Sequence, residues 1–212
     1  EDIARADEDI LYNMFGIDAE LLIDHAWGRE PTLMEDIKAY KPKSNSISSG
    51  QVLPHDYNFE DGKLIVKEMA DLLSLELVDK GLVTDSITLH VGYSNRLGSK
   101  PAHGTTRMTV TTSSSRQIMN YTQKLYERIV DKHKPIRRMN VTFNNVVDEA
   151  YMQYDLFTSP EELEKELSIQ KAILDIKEKF GKNAILKGMN LEKGATTIER
   201  NKQIGGHKSG EN

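Results

Sequence analysis

The sequence contains no cysteine, one tryptophan and six prolines in 212 residues. Without cysteine, disulfide bonds, thiol catalysis and cysteine-based zinc sites are excluded together. No apolar run approaches the roughly 20 residues that span a bilayer, and the acidic stretch from Glu1 to Asp9 lacks the pattern of a signal or transit peptide. The composition, 38% hydrophobic and 29% charged, is typical of one or two small globular domains. We therefore expect a cytoplasmic protein without membrane contact.

The sequence also lacks recognisable patterns of catalysis. Two-metal phosphoryl transfer needs clustered carboxylates, and the dense acidic candidates are Asp7-Glu8-Asp9, at an expected helix N-terminus, and Asp148-Glu149, at a strand end. Ser113-Ser114-Ser115 indicates a helix cap at Ser114 or Ser115 and lacks the context of a nucleophile. No metal-ligand spacing occurs among the histidines, which are His25, His55, His90, His103, His133 and His207. We predict no catalytic residue, no metal site and no cofactor in this chain.

Positive charge is scarce overall but concentrated in one block. The net charge is −5, yet residues 96–140 carry 10 Lys/Arg and 2 Asp/Glu, a local charge of +8. Residues 1–95 carry 8 and 19, and residues 141–212 carry 10 and 12. Such asymmetry favours a polyanionic partner at one place, because phosphate contacts depend on the local field. The alternative interpretation is a solvated helix face on which basic residues cluster by chance.

The first 40 residues predict helices. Residues 7–28 indicate two short helices around the turn Phe15-Gly16-Ile17, with Asp18 as N-cap of the second helix and Gly28 at its end. This segment begins just ahead of a helix without a preceding core, so we expect a piece of a larger protein. The polar stretch over residues 41–46 predicts a linker.

The next hundred residues predict an α+β domain. Alternating apolar residues indicate strands through Ile47 and Val52 and over residues 86–93, 104–112 and 136–147, and helical periodicity indicates helices over residues 59–80 and 115–131. The order β-α-β-β-α-β is a split βαβ pattern, which predicts a four-stranded sheet with two helices on one face. A further amphipathic helix is predicted over residues 161–180, and the polar chain from residue 187 is predicted to be flexible.

The uncovered face of this sheet is predicted to be polar and partly basic. Hydroxyls, amides and arginines are groups that donate hydrogen bonds to phosphate oxygens. A simple solvent-exposed face is the alternative. The outward positions contain no pair of aromatic residues, and this argues against an RNA-recognition domain. The outward positions are Ser46, Ser48, Thr105, Arg107, Thr109, Arg138, Asn140 and Thr142.

The order of these segments resembles the C-terminal half of Y-family (translesion) DNA polymerases of the UmuC/DinB (ImpB/MucB/SamB) kind. The stretches Asn13 to Ile17 and His25 to Gly28 resemble the end of the thumb, and Lys43 to Ser48 resembles the entry to the little finger, with Asn45 as one extra residue. Thr88 to Ser94 and Pro135 to Arg138 are also similar. The tail, Asn183 to Gly188 through Gly205 to Lys208, resembles the Gram-positive UV-damage-repair subgroup.

This resemblance implies the end of a thumb at residues 1–40, a linker at 41–46, a little finger at 47–150, a tail helix at 159–186 and a flexible tail at 187–212. It implies a role in DNA repair and the SOS response, with primer-template DNA held through phosphates. The implied partners include the palm and fingers of the same protein, where Mg²⁺ would bind. The resemblance also implies an association with the nucleoid. The implied DNA contacts are Phe15, Gly16, Ile17, Lys41, Lys43, Ser46, Ser48, Arg96, Lys100, Thr105, Arg107, Thr109, Arg137, Arg138 and Asn140.

Residues 151–158 contain a short motif, Gln153-Tyr154-Asp155-Leu156-Phe157, that resembles the bacterial sliding-clamp-binding pentapeptide. Leu156 and Phe157 would be adjacent apolar anchors in a pocket, Gln153 would fix the register by amide hydrogen bonds, and Asp155 matches the motif's central position. The alternative is that Leu156 and Phe157 pack on their own domain.

Two other functions remain open from the sequence. One is a standalone ferredoxin-like protein-interaction module without nucleic-acid binding, which would bind its partner even at high salt. The other is a hydrolase that uses His and Asp. The first interpretation, a DNA- and clamp-binding fragment without its own catalytic carboxylates, unites the strand order, the basic block and the pentapeptide.

Overall fold

The computed structural model describes residues 2–40, 45–94, 98–154 and 159–203. The chain divides into two compact units, Glu1–Lys43 and Ser44–Asn212. Among the described residues, no helix combines the length and hydropathy needed to cross a membrane.

The first unit consists of four short helices: α1 (Asp2–Arg5), α2 (Glu8–Phe15), α3 (Asp18–Ala26) and α4 (Met34–Ala39). The side chain of Asp7 caps α2 by accepting the Asp9 N–H at 2.9 Å, which explains the acidic cluster there. The prediction that Asp18 caps α3 is wrong by one position. Ile17 occupies the N-cap without a side-chain hydrogen bond, and Asp18 is the first helical residue.

The second unit has the predicted β-α-β-β-α-β order. Its elements are β1 (Ile47–Tyr57), α5 (Phe59–Asp79), β2 (Leu82–Tyr93), β3 (Ala102–Thr112), α6 (Ser115–Ile129) and β4 (Ile136–Asn144). A two-residue strand, β5 (Val147–Asp148), pairs with the start of β2. The α+β fold and the order of strands and helices along the chain, both predicted from the sequence, are confirmed.

The four long strands form an antiparallel sheet in the order β1-β4-β2-β3. Strand β4 therefore lies between β1 and β2, the two strands that α5 connects. At the centre of the sheet, Thr88 on β2 faces Thr142 on β4 and Thr105 on β3. The register shifts between Val52 and Tyr57 in the β1–β4 pair, and again near Thr84 in the β2–β3 pair.

Helices α5 and α6 bury one face of the sheet. The core between them contains Ile87, Leu89 and Val91 from β2 and Val141 and Phe143 from β4, all fully buried. These alternate residues share a face because side chains in a strand have a period of two. The buried hydroxyl of Tyr126 donates to the Phe59 carbonyl at 2.8 Å, and burial raises the pKa of Tyr126 well above its ordinary value, so the hydroxyl remains a donor.

Helix α7 (Pro160–Phe180) supports the start of α6. Ser114 is the N-cap of α6 and accepts the Gln117 N–H at 3.2 Å, as predicted from the serine triplet. Glu166 on α7 accepts from the Ser114 hydroxyl at 2.7 Å and from the Arg116 N–H at 2.9 Å. A carboxylate at this position stabilises the positive end of the helix dipole.

The segment after α7 differs from the flexible tail expected from residue 187. It forms a 3-10 helix (Gly188–Leu191) and helix α8 (Thr197–Asn201). Glu68, 1% exposed on α5, accepts from Asn190 Nδ2 at 2.9 Å and from the Thr196 N–H at 2.8 Å. Lys187 forms an ion pair with Asp71, also on α5. Polar residues in this segment therefore pair with buried carboxylates, which sequence periodicity does not reveal.

A substitution at Gly62 on α5 tests how tightly the core beneath this helix is packed. A Cβ atom at this position would lie 2.5 Å from the Tyr126 hydroxyl and 2.7 Å from Ile136 Cδ1. Overpacking of this kind costs about 1–3 kcal/mol, against the ~1 kcal/mol that Ala gains over Gly inside a helix. We expect Gly62→Ala to lower the free energy of unfolding, as measured by urea denaturation.

The matched control is Gly188→Ala, because a Cβ atom there would meet no atom within 4 Å. This variant should unfold at an unchanged or slightly higher urea concentration. A Gly62→Ala variant as stabilised as Gly188→Ala, or more so, would contradict the described packing of α5.

Candidate nucleic-acid interface

The face of the sheet opposite α5 and α6, called the open face below, carries aligned rows of polar residues. One row runs from Gly50 through Asn140 and His90 to His103. The next runs from Ser48 through Thr142 and Thr88 to Thr105. The open face is formed by Ser48, Gly50, Val52, Ser86, Thr88, His90, Gly92, His103, Thr105, Arg107, Arg138, Asn140, Thr142 and Asn144.

Hydrogen bonds between side chains organise the middle of the open face. The hydroxyls of Thr88 and Thr105 lie 2.8 Å apart, and Asn144 Nδ2 donates to Thr88 Oγ1 at 2.9 Å. The Thr142 hydroxyl donates to Asn140 Oδ1 at 2.9 Å. Each of these groups has further hydrogen-bonding capacity, so the face offers a regular array of short polar donors and acceptors.

Two glycines keep the open face low beside its polar residues. A Cβ atom at Gly50 would lie 3.1 Å from Asn140 Nδ2, and one at Gly92 would lie 3.1 Å from Arg138 Cβ. Glycine within a strand is typical of places where another backbone or a ligand approaches closely. The side chains of Asn140 and Arg138 thus lie against positions that have no side chain of their own.

The two arginines of the open face differ in their surroundings. Arg107 is exposed, and its Nε and Nη2 atoms lie 3.0 and 2.9 Å from Asp85 Oδ2. Asp85 also accepts from Asn145 Nδ2 at 2.9 Å. Arg138 is exposed and packs beside Gly92. Asp85 therefore orients one arginine and partly neutralises its charge, whereas Arg138 presents its charge at the surface.

Thr109 is exposed on β3, and its hydroxyl is 3.1 Å from the hydroxyl of Tyr121 on α6. The β2–β3 register shift falls between Arg107 and Thr112, so Thr109 belongs to neither of the two rows described above. The contact of Thr109 with DNA stays a prediction.

The other predicted contacts are scattered or lie outside the described residues. Ser46 is exposed just before β1, Lys100 is exposed between β2 and β3, and Arg137 is half-buried next to Arg138. Lys41, Lys43 and Arg96 lie outside the described residues.

The predicted turn of the first unit has one amide already engaged. The Gly16 N–H donates to the Tyr12 carbonyl at 2.8 Å, and Gly16 has a φ of +60°, which ends α2. The Gly16 amide is thus engaged within the first unit, and the DNA contact of the turn Phe15-Gly16-Ile17 stays a prediction. The side chains of Phe15 and Ile17 are exposed, Ile17 to 82%.

The basic residues that the structure describes between positions 98 and 140 do not form one patch. Arg116 faces Glu162 on α7 at 3.2 Å, and Lys134 lies 3.4 Å from Asp131. The His133 backbone N–H, and then Lys134, hold the pKa of Asp131 below its ordinary value, so this carboxylate stays charged. The structure thus spreads the block over the helices and the α6–β4 turn and leaves Arg107 and Arg138 on the open face.

Residues on β2 that the sequence interpretation left unused complete the open face. The rings of His90 and His103 are adjacent, with centroids 6.1 Å apart, and Thr88 lies in the central row. The alternation of β2 contained this signal, because the apolar positions Ile87 and Leu89 assign the residues between them to the opposite face.

A groove of about 800 Å³ runs along the β1 edge of the open face. Val52, His90, Arg138 and Asn140 line it from the sheet, and Glu199 and Arg200 line it from α8. Arg200 Nη2 donates to Ser49 Oγ at 3.3 Å and to the Gly50 carbonyl at 3.4 Å. No sequence pattern indicated Arg200, because its position depends on the docking of the C-terminal segment.

The pentapeptide is only partly described. The Gln153 N–H donates to the Thr111 carbonyl at 2.9 Å, and Gln153 Oε1 lies 3.3 Å from the Thr111 N–H. Gln153 thus extends along the edge of β3. Asp155, Leu156 and Phe157 lie outside the described residues. Within the described part of the chain, no group of three or more His, Asp or Glu side chains could hold a metal ion.

Known proteins resemble this chain along most of its length. A protein from Halalkalibacterium halodurans named DNA polymerase IV 2 is 26% identical over 91% of this chain and 46% of its own length. UvrX of Bacillus subtilis (strain 168), whose name describes UV-damage repair, is 26% identical over 98% of this chain and 49% of its own length. The chain thus spans about half the length of the curated relatives it matches.

A solved structure, an insertion ternary complex of Dbh DNA polymerase, aligns with 69% of this chain and 40% of that one, at 15% identity and a TM-score of 0.41. The model of the impB/mucB/samB family C-terminal domain matches residues 44–156, which is more than half of the sequence and contains the whole four-stranded sheet. The chain therefore belongs to the impB/mucB/samB family, and its second unit contains the C-terminal domain of that family.

Proposed function

We propose that this chain is the DNA-holding C-terminal part of a translesion DNA polymerase that acts in DNA repair. The observation that carries the proposal is the open face, which combines rows of hydroxyls and amides with Arg107 and Arg138 in a family C-terminal domain. The names of the relatives, DNA polymerase IV 2 and UvrX, support the same role.

The chemistry of the open face suits contacts with the DNA backbone. Arginine, hydroxyl and amide groups donate to phosphate oxygens, and such contacts position a protein without reading sequence. A polymerase that accepts any template requires this kind of contact. The short side chains of Ser48, Thr88 and Thr142 also leave the face shallow enough for a phosphate backbone to lie against it.

Catalysis belongs, in this proposal, to the part of the polymerase that corresponds to the other half of the relatives. The carboxylates that hold Mg²⁺ would lie in a palm domain, and this chain alone should not extend a primer. Its contribution is to hold primer-template DNA during lesion bypass, as expected in an SOS response.

Arg107 and Arg138 provide the first test of DNA binding. Each phosphate contact lowers the slope of log K against log [salt] by about 0.9. We expect Arg138→Ala and Arg107→Ala each to weaken binding to a primer-template duplex and to reduce the magnitude of this slope by about one. Fluorescence anisotropy over a series of salt concentrations measures both quantities.

Lys165→Ala is the matched control, because Lys165 is exposed on α7 and not on the open face. Its affinity and slope should equal those of the parent chain. An absence of salt-dependent binding by the parent chain, or equal losses in the control and the arginine variants, would contradict the proposed function.

We further propose that residues 153–157 bind the bacterial β sliding clamp. The support is the match of Gln153, Asp155, Leu156 and Phe157 to the clamp-binding pentapeptide and the position of Gln153 at the exposed edge of β3. An extended peptide with two apolar anchors is a common recognition mode. In this arrangement Gln153 would exchange its contacts with Thr111 for contacts with the clamp.

Replacing both Leu156 and Phe157 with Ala should abolish binding to the purified clamp, because it removes both anchors. Binding to primer-template DNA should be unchanged, since the open face is intact. Surface plasmon resonance with immobilised clamp and anisotropy with DNA measure the two separately. Loss of both activities, or of neither, would argue against this motif.

A further inference from the structure

Two arginines from the helix layer reach the two free edges of the sheet. Arg128 on α6 donates from Nη2 to the carbonyl of Thr105, on edge strand β3, at 3.0 Å. Arg200 on α8 donates from Nη2 to the carbonyl of Gly50, on edge strand β1, at 3.4 Å. Both guanidinium groups thus lie where an open-face row meets the edge of the sheet.

The partners of these two arginines leave donor capacity for a ligand. A guanidinium group has five N–H donors, and the hydrogen bonds found within the described part of the chain engage only Nη2 of each. These bonds go to backbone carbonyls and a hydroxyl, which are neutral acceptors. Arg128 is exposed, whereas Arg200 is half-buried and also experiences the negative charge of Glu68. Glu199 also lines the β1 groove, but it pairs with Lys202 at 2.8 Å.

Buried carboxylates hold Arg200 in place. Glu68 accepts the Thr196 N–H at 2.8 Å and binds Asn190, and these contacts fix the start of α8 beside β1. The Thr196 hydroxyl also bonds Gln51 Oε1 at 3.3 Å. The C-terminal segment thus brings a cation to β1, a strand that contains no Lys or Arg of its own.

The separation of the two edges matches a feature of duplex DNA. Strands in a sheet lie about 4.8 Å apart, so three spacings place the edges of this sheet roughly 14 Å apart. The major groove of B-DNA is about 12 Å wide and is flanked by phosphates on both strands. Cations at both edges would therefore lie near the two phosphate backbones that flank the groove.

We propose that Arg128 and Arg200 are phosphate ligands at the two edges of the open face, so that the C-terminal segment forms part of the DNA-binding surface. This inference rests on the proposed function and assigns it two residues outside the sheet. The ligand class is the phosphodiester backbone of double-stranded DNA, with one strand contacted at the β3 edge and the other at the β1 edge.

The test compares Arg128→Gln and Arg200→Gln with Lys124→Gln and Lys193→Gln in the full chain. Lys124 is exposed one turn before Arg128 on α6, and Lys193 precedes α8 and is also exposed. Each arginine variant should reduce the magnitude of the salt slope for a DNA duplex by about one. The double arginine variant should reduce it by about two, and the lysine controls should leave it unchanged.

Arg128→Lys and Arg200→Lys separate charge from local structure. They should retain most of the salt slope, since a phosphate ligand needs the positive charge. If Arg128→Lys and Arg200→Lys lose as much binding as Arg128→Gln and Arg200→Gln, these arginines have a structural role and the inference is overturned. If Arg138→Ala weakens binding while all four glutamine variants equal the parent chain, the inference fails and the proposed function stands. If the parent chain does not bind DNA, both fail.

Discussion

Burial of one face of the sheet by α5 and α6 is the constraint on which the rest of the structure depends. In four antiparallel strands, the residues that fill this core fix the register, and the register then fixes which residues lie opposite. Ile87, Leu89 and Val141 face the helices, so Thr88, His90 and Asn140 must face away from them. The open face is thus the direct consequence of core packing, and its rows of polar groups need no separate structural cause.

A second layer of organisation comes from charges buried on α5. Glu68 and Asp71 are almost fully buried, and such carboxylates are stable in a folded protein only when they are paired or hydrogen-bonded. Their partners are Asn190, Thr196 and Lys187 in the C-terminal segment. The segment therefore satisfies the carboxylates, and the carboxylates order the segment. This mutual dependence places α8 at the β1 edge and connects the stability of the domain with the shape of its open face.

The sequence predicted the order of strands and helices along the chain, the two core helices and the N-cap of α6, because these depend on local periodicity and capping chemistry. Thr105, Arg107, Arg138 and Asn140 were assigned to the open face by alternation alone. The β2–β3 register shift between Arg107 and Thr112 is a feature that alternation cannot anticipate. The C-terminal segment was missed because polar residues that pair with buried carboxylates resemble a flexible tail in sequence. Arg200 depends on contacts across about 150 residues of sequence, beyond the reach of any local pattern.

Mapping a DNA duplex onto the protein by NMR tests the central claim most directly. Backbone amide shifts would be followed while a short primer-template duplex is added to the isotope-labelled chain. The account predicts that the largest changes fall on open-face residues such as Thr88, Asn140 and Thr142. The amides of α5, on the opposite side of the sheet, should be unaffected. Changes confined to α5 and α7, with the open-face signals unchanged at saturation, would contradict the claim that this face holds DNA.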